Sequence, residues 1–161
     1  MQKDVYKRQT LRRGKVKSAV GIGALLLEGI GDTMRVSLTA DPVEEVIFAK
    51  EILQSIGMLP SSINLVSCPT CGRTKIGLEV LADQIEKRLQ DLEIIFKREN
   101  RKPITIAVMG CAVNGPGEAK EADYGVAGGD GKGIIFEKGK ILKTVSEDKI
   151  VDELFKIIEK A

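Results

Sequence analysis

The chain has 161 residues, of which 43% are hydrophobic and 30% are charged, and its formal net charge is +2. That length suits one ordinary domain, or one small domain with part of another. The modest charge and an aromatic content of 4%, with no tryptophan, argue against a nucleic-acid-binding surface. The longest apolar run, Ala19 to Leu27, is too short to span a bilayer, so we expect no membrane partner. The N-terminus lacks the apolar segment of a secretion signal, so we expect a cytoplasmic protein.

The first sixty residues predict a helix, a strand and a second helix. A helical period begins at Lys15, and Thr33–Leu38 alternates as a strand does, with Arg35 and Ser37 on its polar side. Asp41 and the proline after it are typical of the start of a helix. This order is typical of a parallel α/β protein, although one strand and two helices cannot close a sheet. The predicted inward faces comprise Val16, Val20, Leu26 and Leu27 in the first helix and Val43, Val46, Ile47, Leu53 and Ile56 in the second.

Residues 60–161 predict a compact α+β domain of a usual size, after a linker at Pro60–Ser62. The predicted elements are a buried strand at 63–66, a helix at 76–91, a buried strand at 104–109, short strands at 124–127 and 133–136, a hairpin partner at 141–145 and a last helix that Ser146 caps. The expected fold class is therefore mixed α/β. We assign residues 1–13 to a disordered or unrelated start, 14–59 to an incomplete α/β unit and 60–161 to the second domain.

All three cysteines follow predicted buried strands of the second domain. Cys68 and Cys71 stand in a Cys-Pro-Thr-Cys stretch, and Cys111 opens a glycine- and proline-rich loop that ends on Glu118. Sites in α/β sheets form at the carboxyl ends of the strands, so we expect the three cysteines to converge there. In a reducing compartment, cysteines at this spacing indicate metal or redox chemistry. The chain has no histidine, so Glu118 is the best candidate for a fourth ligand. Weaker candidates are Glu121 and Asp123.

Several interpretations of the cysteines remain open at this point. Each could be a small buried hydrophobic residue. A zinc-stabilised binding module is a second possibility, although structural zinc usually takes four Cys or His ligands. A thioredoxin-like dithiol oxidoreductase using Cys68 and Cys71 is a third, but it leaves Cys111 without a function. A [4Fe–4S] cluster would employ all three thiolates, and a carboxylate on the fourth iron would be a more exchangeable ligand.

Arg35 and Ser37 form a second group, on the polar side of the predicted strand. On an exposed edge they would be ordinary solvated residues. At the carboxyl end of a barrel strand they would line a site instead. A guanidinium with a nearby hydroxyl suits a phosphate group.

Three long motifs stand out in the second domain, Ser67–Arg73, Val108–Ala119 and Asp123–Gly129, and three shorter ones lie upstream, Lys17–Gly23, Thr33–Leu38 and Ala40–Pro42. Together they resemble the 4-hydroxy-3-methylbut-2-enyl diphosphate synthase family, the iron–sulfur enzymes of non-mevalonate isoprenoid biosynthesis. The resemblance extends from about Gly14 to the end of the chain. It implies the last helix, strand and helix of a TIM barrel in residues 14–59, followed by a cluster domain like that of sulfite reductase.

The resemblance also implies a site. A [4Fe–4S] cluster would be bound by Cys68, Cys71, Cys111 and Glu118, and Glu118 and Asn114 would take part in catalysis, with Asn114 beside the substrate. The substrate would be 2-C-methyl-D-erythritol 2,4-cyclodiphosphate, and two electrons would come from flavodoxin or ferredoxin. Arg35 and Ser37 match the barrel strand that holds the diphosphate, in a family whose full-length members pair as homodimers. Because most of the barrel has no counterpart here, we expect a C-terminal fragment that binds a cluster without turning over.

Overall fold

The structure is a computed structural model that describes residues 9–112, 115–129 and 131–160. The chain divides into two compact units, with the boundary between Ser61 and Ser62. Among the helices described, none combines the length and the apolar character needed to cross a membrane.

From residue 9 onwards, where its description begins, the first unit contains two short strands and two helices. They are β1 (Gln9–Thr10), α1 (Leu11–Leu27), β2 (Leu38–Thr39) and α2 (Pro42–Ser55). Strands β1 and β2 pair in parallel. Helix α2 begins as expected, because the Asp41 carboxylate accepts a hydrogen bond from the N–H of Val43 at 2.9 Å and proline occupies the first helical position.

Two boundaries in the first unit differ from the expectation. Helix α1 already begins at Leu11, inside the stretch 1–13 that we had assigned to a disordered or unrelated start. Of the predicted strand at 33–38, only Leu38 lies in a strand, β2, where Leu38 and Thr39 pair with Gln9 and Thr10. The alternation nevertheless describes burial correctly, since Val36 and Leu38 are buried while Arg35 is exposed.

The predicted inward faces of both helices in the first unit are largely wrong. The small core of this unit is formed by Val36, Leu38, Phe48 and Ile52. Apolar residues on other faces of the helices remain exposed: Val16, Val20 and Leu27 in α1 and Val43, Val46 and Ile47 in α2. A helical period finds an apolar stripe, but it does not reveal which stripe has a partner to pack against.

The second unit is built on one five-stranded mixed sheet. Its elements are β3 (Ile63–Ser67), α3 (Leu78–Arg98), β4 (Ile104–Met109), α4 (Gly115–Glu118), β5 (Tyr124–Gly129), β6 (Lys132–Glu137), β7 (Lys140–Ser146), a 3₁₀ turn (Glu147–Lys149) and α5 (Ile150–Ile158). The strand order is β3-β4-β5-β6-β7. Strand β4 runs parallel to both β3 and β5, whereas β6 runs antiparallel to both β5 and β7. The mixed α/β class expected from the sequence is confirmed.

The two faces of this sheet are covered differently. Helices α3 and α5 cover one face with large apolar side chains, including Ile85 and Leu154, which are fully buried. The other face packs small residues such as Ala107 and Ala127 against the segment that follows α4. Strand β3 is an edge strand with only Ile63 buried, which corrects the expectation of a buried strand. The sheet is thus packed on both faces, and its parallel strands β3, β4 and β5 all end at the same edge.

Candidate metal centre

The two cysteine-bearing loops leave neighbouring parallel strands at the same edge of the sheet. Strand β3 ends at Ser67, which is in register with Val108 of β4. Cys68 follows β3 directly, and Cys111 lies two residues after the end of β4. The expectation that both loops meet at one edge is therefore confirmed by the topology.

Gly110 ties these two loops together through its backbone. Its N–H donates a hydrogen bond to the Cys68 sulfur at 3.1 Å, and its carbonyl accepts one from the N–H of Lys75 at 3.1 Å. A Cβ atom added at this position would lie 2.8 Å from the Thr74 hydroxyl oxygen and 3.2 Å from a methyl carbon of Leu78. Real Cβ atoms essentially never come so close to another heavy atom, so any side chain here would force Thr74 or the backbone to shift.

Cys71 lies in a turn in which both its backbone N–H and its carbonyl form hydrogen bonds with Thr74. The Thr74 N–H donates to the Cys71 carbonyl at 3.0 Å, and the Cys71 N–H donates to the Thr74 hydroxyl oxygen at 3.1 Å. Hydrogen bonding by the backbone N–H of Arg73 lowers the pKa of the exposed Cys71 thiol, and the Thr74 hydroxyl and the Arg73 guanidinium act in the same direction. Donors of this kind favour the thiolate form of a cysteine, which is the form that binds metals.

Glu118 lies near the cysteines because it ends the short helix α4, which follows the Cys111 loop. The N–H of Gly115 donates to the carbonyl of Cys111 at 3.1 Å, which starts the helix directly after the cysteine loop. Gly115 is buried so tightly that an added Cβ would lie 2.6 Å from the Cβ of Ala127. One turn later the helix ends on Glu118, which is exposed.

A pocket of about 190 Å³ joins these groups. Its walls include all three cysteines and Glu118, together with Pro69, Arg73, Thr74, Met109 and Gly110. The structure thus brings Cys68, Cys71, Cys111 and Glu118 together, while their role as ligands stays a prediction. Asn114 lies outside the described residues.

Arg35 and Ser37 lie in the first unit, ahead of β2. The Arg35 side chain is exposed and Ser37 is half-buried, so both are accessible to a ligand. Their role as phosphate contacts also stays a prediction.

Sequence reasoning missed Thr74 and Arg73 as members of the site. Both lie within three residues of Cys71, and side chains in the turn after a ligand are natural candidates for hydrogen bonds to it. Their closeness to Cys71 in the sequence, rather than their residue type, was the signal that could have found them.

The donor set of this pocket consists of three thiols and one carboxylate. Within the described parts of the chain, no three Cys, Asp or Glu side chains come close enough together to hold one ion. A structural zinc site requires four ligands converging on one ion. A [4Fe–4S] cluster spreads its ligands over separate irons, and thiolates are its usual ligands.

The geometry also speaks against a thioredoxin-like dithiol. In that arrangement the cysteine pair stands at the N-terminus of a helix, which lowers the thiol pKa. Here α3 begins only at Leu78, seven residues after Cys71. The lowered pKa of Cys71 has local donors as its cause instead.

The fold and the site define a class of protein: a mixed α/β domain with a thiol- and carboxylate-lined pocket at the carboxyl ends of its parallel strands. Comparison with known families gives a closer assignment. The family model of the GcpE protein C-terminal domain matches residues 64–160, and that of the GcpE TIM-barrel domain matches residues 6–50. The chain therefore belongs to the GcpE family, as the motifs indicated. The second match begins before residue 14, where the resemblance was expected to start.

Curated relatives agree with this assignment. Proteins from Clostridium acetobutylicum, Caldanaerobacter subterraneus and Clostridium perfringens are 56%, 55% and 57% identical to this chain over 150, 151 and 147 residues. The alignments cover 93%, 94% and 91% of this chain but 41%, 40% and 40% of the relatives. All three are named 4-hydroxy-3-methylbut-2-en-1-yl diphosphate synthase (flavodoxin). The chain thus spans about two fifths of the length of these relatives.

Proposed function

We propose that this chain carries the iron–sulfur site of a 4-hydroxy-3-methylbut-2-enyl diphosphate synthase, an oxidoreductase of non-mevalonate isoprenoid biosynthesis. The complete enzyme would open 2-C-methyl-D-erythritol 2,4-cyclodiphosphate reductively, with two electrons and loss of water. The observation that carries the proposal is the single pocket lined by Cys68, Cys71, Cys111 and Glu118. The names of the relatives support the reaction and flavodoxin as the electron donor, with ferredoxin as the other candidate.

Cys68, Cys71, Cys111 and Glu118 would hold a [4Fe–4S] cluster. When bound, the cluster would supply electrons one at a time and offer one iron with an exchangeable ligand. The chain itself sets the environment of the sulfurs, since the Gly110 N–H already points at Cys68. Hydrogen bonds to cluster sulfurs are among the factors that set the reduction potential.

Glu118 would be the exchangeable ligand. A carboxylate is a harder ligand than a thiolate and suits this soft site less well. Its side chain is exposed at the end of a four-residue helix and lies outside the buried core. We place Asn114 beside the substrate, close in sequence to Cys111.

The diphosphate would be contacted by Arg35 and Ser37 of the first unit. A guanidinium fork donates two parallel hydrogen bonds to a phosphate, and a hydroxyl adds a third. The exposed apolar residues of α1 and α2 support a further part of the proposal, that the first unit packs against the rest of a barrel. The complete protein is proposed to be a cytoplasmic homodimer.

Iron uptake tests the proposal directly. Anaerobic reconstitution with ferrous iron and sulfide should give a brown protein with about four irons per chain, as the cluster stoichiometry requires. Replacing Cys111 by Ser should abolish most of this uptake, because one of three thiolates is lost. A colourless protein without bound iron would overturn the proposal.

The same Cys111→Ser variant separates the cluster from a dithiol. A dithiol made by Cys68 and Cys71 would keep its redox couple when Cys111 is replaced. Metal analysis of protein grown with ample zinc and iron separates the cluster from a zinc module, because a zinc site would retain zinc and no sulfide.

A further inference from the structure

The Thr74 side chain contacts both loops that carry cysteines: its own loop, which holds Cys68 and Cys71, and the loop that holds Cys111. Its hydroxyl oxygen accepts a hydrogen bond from the Cys71 N–H at 3.1 Å. The same oxygen packs against Gly110, where an added Cβ would lie only 2.8 Å away. Gly110 in turn donates to the Cys68 sulfur and precedes Cys111 in the chain.

The backbone around Thr74 strengthens this connection. Its N–H closes the turn on the Cys71 carbonyl at 3.0 Å. The next residue, Lys75, donates its N–H to the Gly110 carbonyl at 3.1 Å. The turn is therefore held on the Cys71 side by Thr74 and on the Cys111 side through Gly110.

The nearby Thr70 provides a contrast in the same loop. It lies between the two cysteines of the Cys-Pro-Thr-Cys stretch but does not line the pocket. Its side chain is exposed and makes no hydrogen bond with any residue that the structure describes. Thr74 therefore contacts the Cys71 backbone and lines the pocket, whereas Thr70 does neither among the described residues.

We infer that Thr74 is a positioning residue, whose hydroxyl fixes Cys71 and locks the Cys71 turn against Gly110 so that the three thiols keep their places in one pocket. The inference rests on the proposed function only in its consequence for a bound cluster. The hydrogen bond itself belongs to the chain alone. A side chain that orients a ligand without touching the metal typically changes affinity or potential rather than the fold.

Three variants isolate the hydroxyl. Thr74→Val keeps the shape and removes the hydroxyl, Thr74→Ser keeps the hydroxyl and removes the methyl group, and Thr70→Val makes the same change at the uninvolved position. Thr74→Ala serves in place of the valine variant should that one not fold, since it removes the hydroxyl without adding a methyl group.

Hydrogen–deuterium exchange of the Cys71 amide is the first measurement, on the chain without metal. We expect exchange to be about tenfold faster in Thr74→Val, because the amide loses a hydrogen bond of ordinary strength. Thr74→Ser and Thr70→Val should exchange as the unchanged chain does. Equal exchange in Thr74→Val and the unchanged chain would overturn the inference.

The reduction potential after reconstitution with ferrous iron and sulfide is the second measurement. We expect Thr74→Val to have a lower potential and to lose iron faster to a chelator, with both restored by serine at position 74 and neither changed in Thr70→Val. If the unchanged chain takes up no iron, the proposed function fails, and amide exchange alone decides on Thr74. If it takes up iron but Thr74→Val matches Thr70→Val in potential and iron loss, the positioning role is wrong.

Discussion

The backbone N–H of Gly110 donates a hydrogen bond to the sulfur of Cys68, over an N–Sγ distance of 3.1 Å, although the two residues are 42 positions apart. This contact joins the loop after β3 to the loop after β4, and on the Gly110 side it uses only the backbone. It also directs a donor at a sulfur that is proposed to bind iron. The geometry of the site therefore depends on how closely the Gly110 backbone approaches its neighbours.

Replacing Gly110 by alanine tests that dependence. The new Cβ would lie 2.8 Å from the Thr74 hydroxyl oxygen, so one loop must shift. We expect a loss of about 1–3 kcal/mol in the free energy of unfolding, as is typical of overpacking, together with reduced iron uptake. Urea denaturation and iron analysis after reconstitution measure the two effects.

Gly72→Ala is the matched control for that variant. Gly72 lies in the same loop as Cys71, but an added Cβ there would meet nothing within 4 Å. Its stability and iron uptake should stay close to those of the unchanged chain. Equal behaviour of the two alanine variants would show that the contact with Thr74 is not restrictive.

Glu118→Gln tests the proposed fourth ligand. An amide is a much poorer iron ligand than a carboxylate, so the reconstituted variant should lose iron at one site and be more sensitive to oxygen. Because Glu118 is exposed, the free energy of unfolding of the metal-free chain should change by no more than about 0.5 kcal/mol. Electron paramagnetic resonance spectra of the reduced cluster follow the change at the iron.

Glu121→Gln serves as the comparison, since Glu121 is also exposed and follows α4 but does not line the cysteine pocket. Its spectra and oxygen sensitivity should match those of the unchanged protein. If Glu118→Gln also matched them, the carboxylate would not be a ligand.

Much of the second unit could be predicted because its signals are local. The strand Ile104–Met109 was predicted with the observed bounds, and the apolar face of α3 from Leu78 to Leu92 is buried as expected. An uninterrupted apolar run and a clear 3.6-residue period leave few alternatives. The meeting of the two cysteine loops at one edge could be predicted for the same reason, because both motifs stand directly after strands that run parallel.

The remaining features depend on contacts between distant residues. The chain reaches α3 only at Leu78, and the preceding Gly77 N–H donates to a carboxylate oxygen of Glu147, 70 positions away. The short helix α4 consists of Gly-Pro-Gly-Glu, a composition that favours a loop. In the first unit, the buried face of each helix depends on which surface packs against the strands. The 3.6-residue period of apolar side chains does not predict which surface that is.

Ile85→Ala tests whether the face of α3 is the main source of stability in the second unit. Ile85 is fully buried in the core between α3 and the sheet. Its truncation should cost about 2–5 kcal/mol, from lost burial and a residual cavity. Val80→Ala on the same helix is the control, because Val80 is 62% exposed and should change stability only slightly. Comparable losses in the two variants would contradict the observed orientation of the helix.

Glu153 gives the second unit a specific dependence on pH. Its carboxylate accepts hydrogen bonds from the ammonium groups of Lys143 and Lys156, which lower its pKa from 4.5 to about 2. Between those two values the unfolded chain binds a proton that the folded chain does not. The contribution of Glu153 to stability is therefore complete above about pH 4.5 and is lost as the pH falls towards about 2.

Glu153→Gln should accordingly be less stable than the unchanged chain at neutral pH, by a margin that shrinks on acidification. The effect at neutral pH should be small, because both lysine side chains are more than half exposed and solvent screens the two ion pairs. Urea midpoints measured from about pH 7 down to the acid limit of folding follow the margin. Glu159→Gln is the control, since Glu159 is exposed and forms no ion pair with any residue described by the structure. A margin that stays constant between about pH 4.5 and 2 would mean that the two lysines do not hold Glu153 in its charged form.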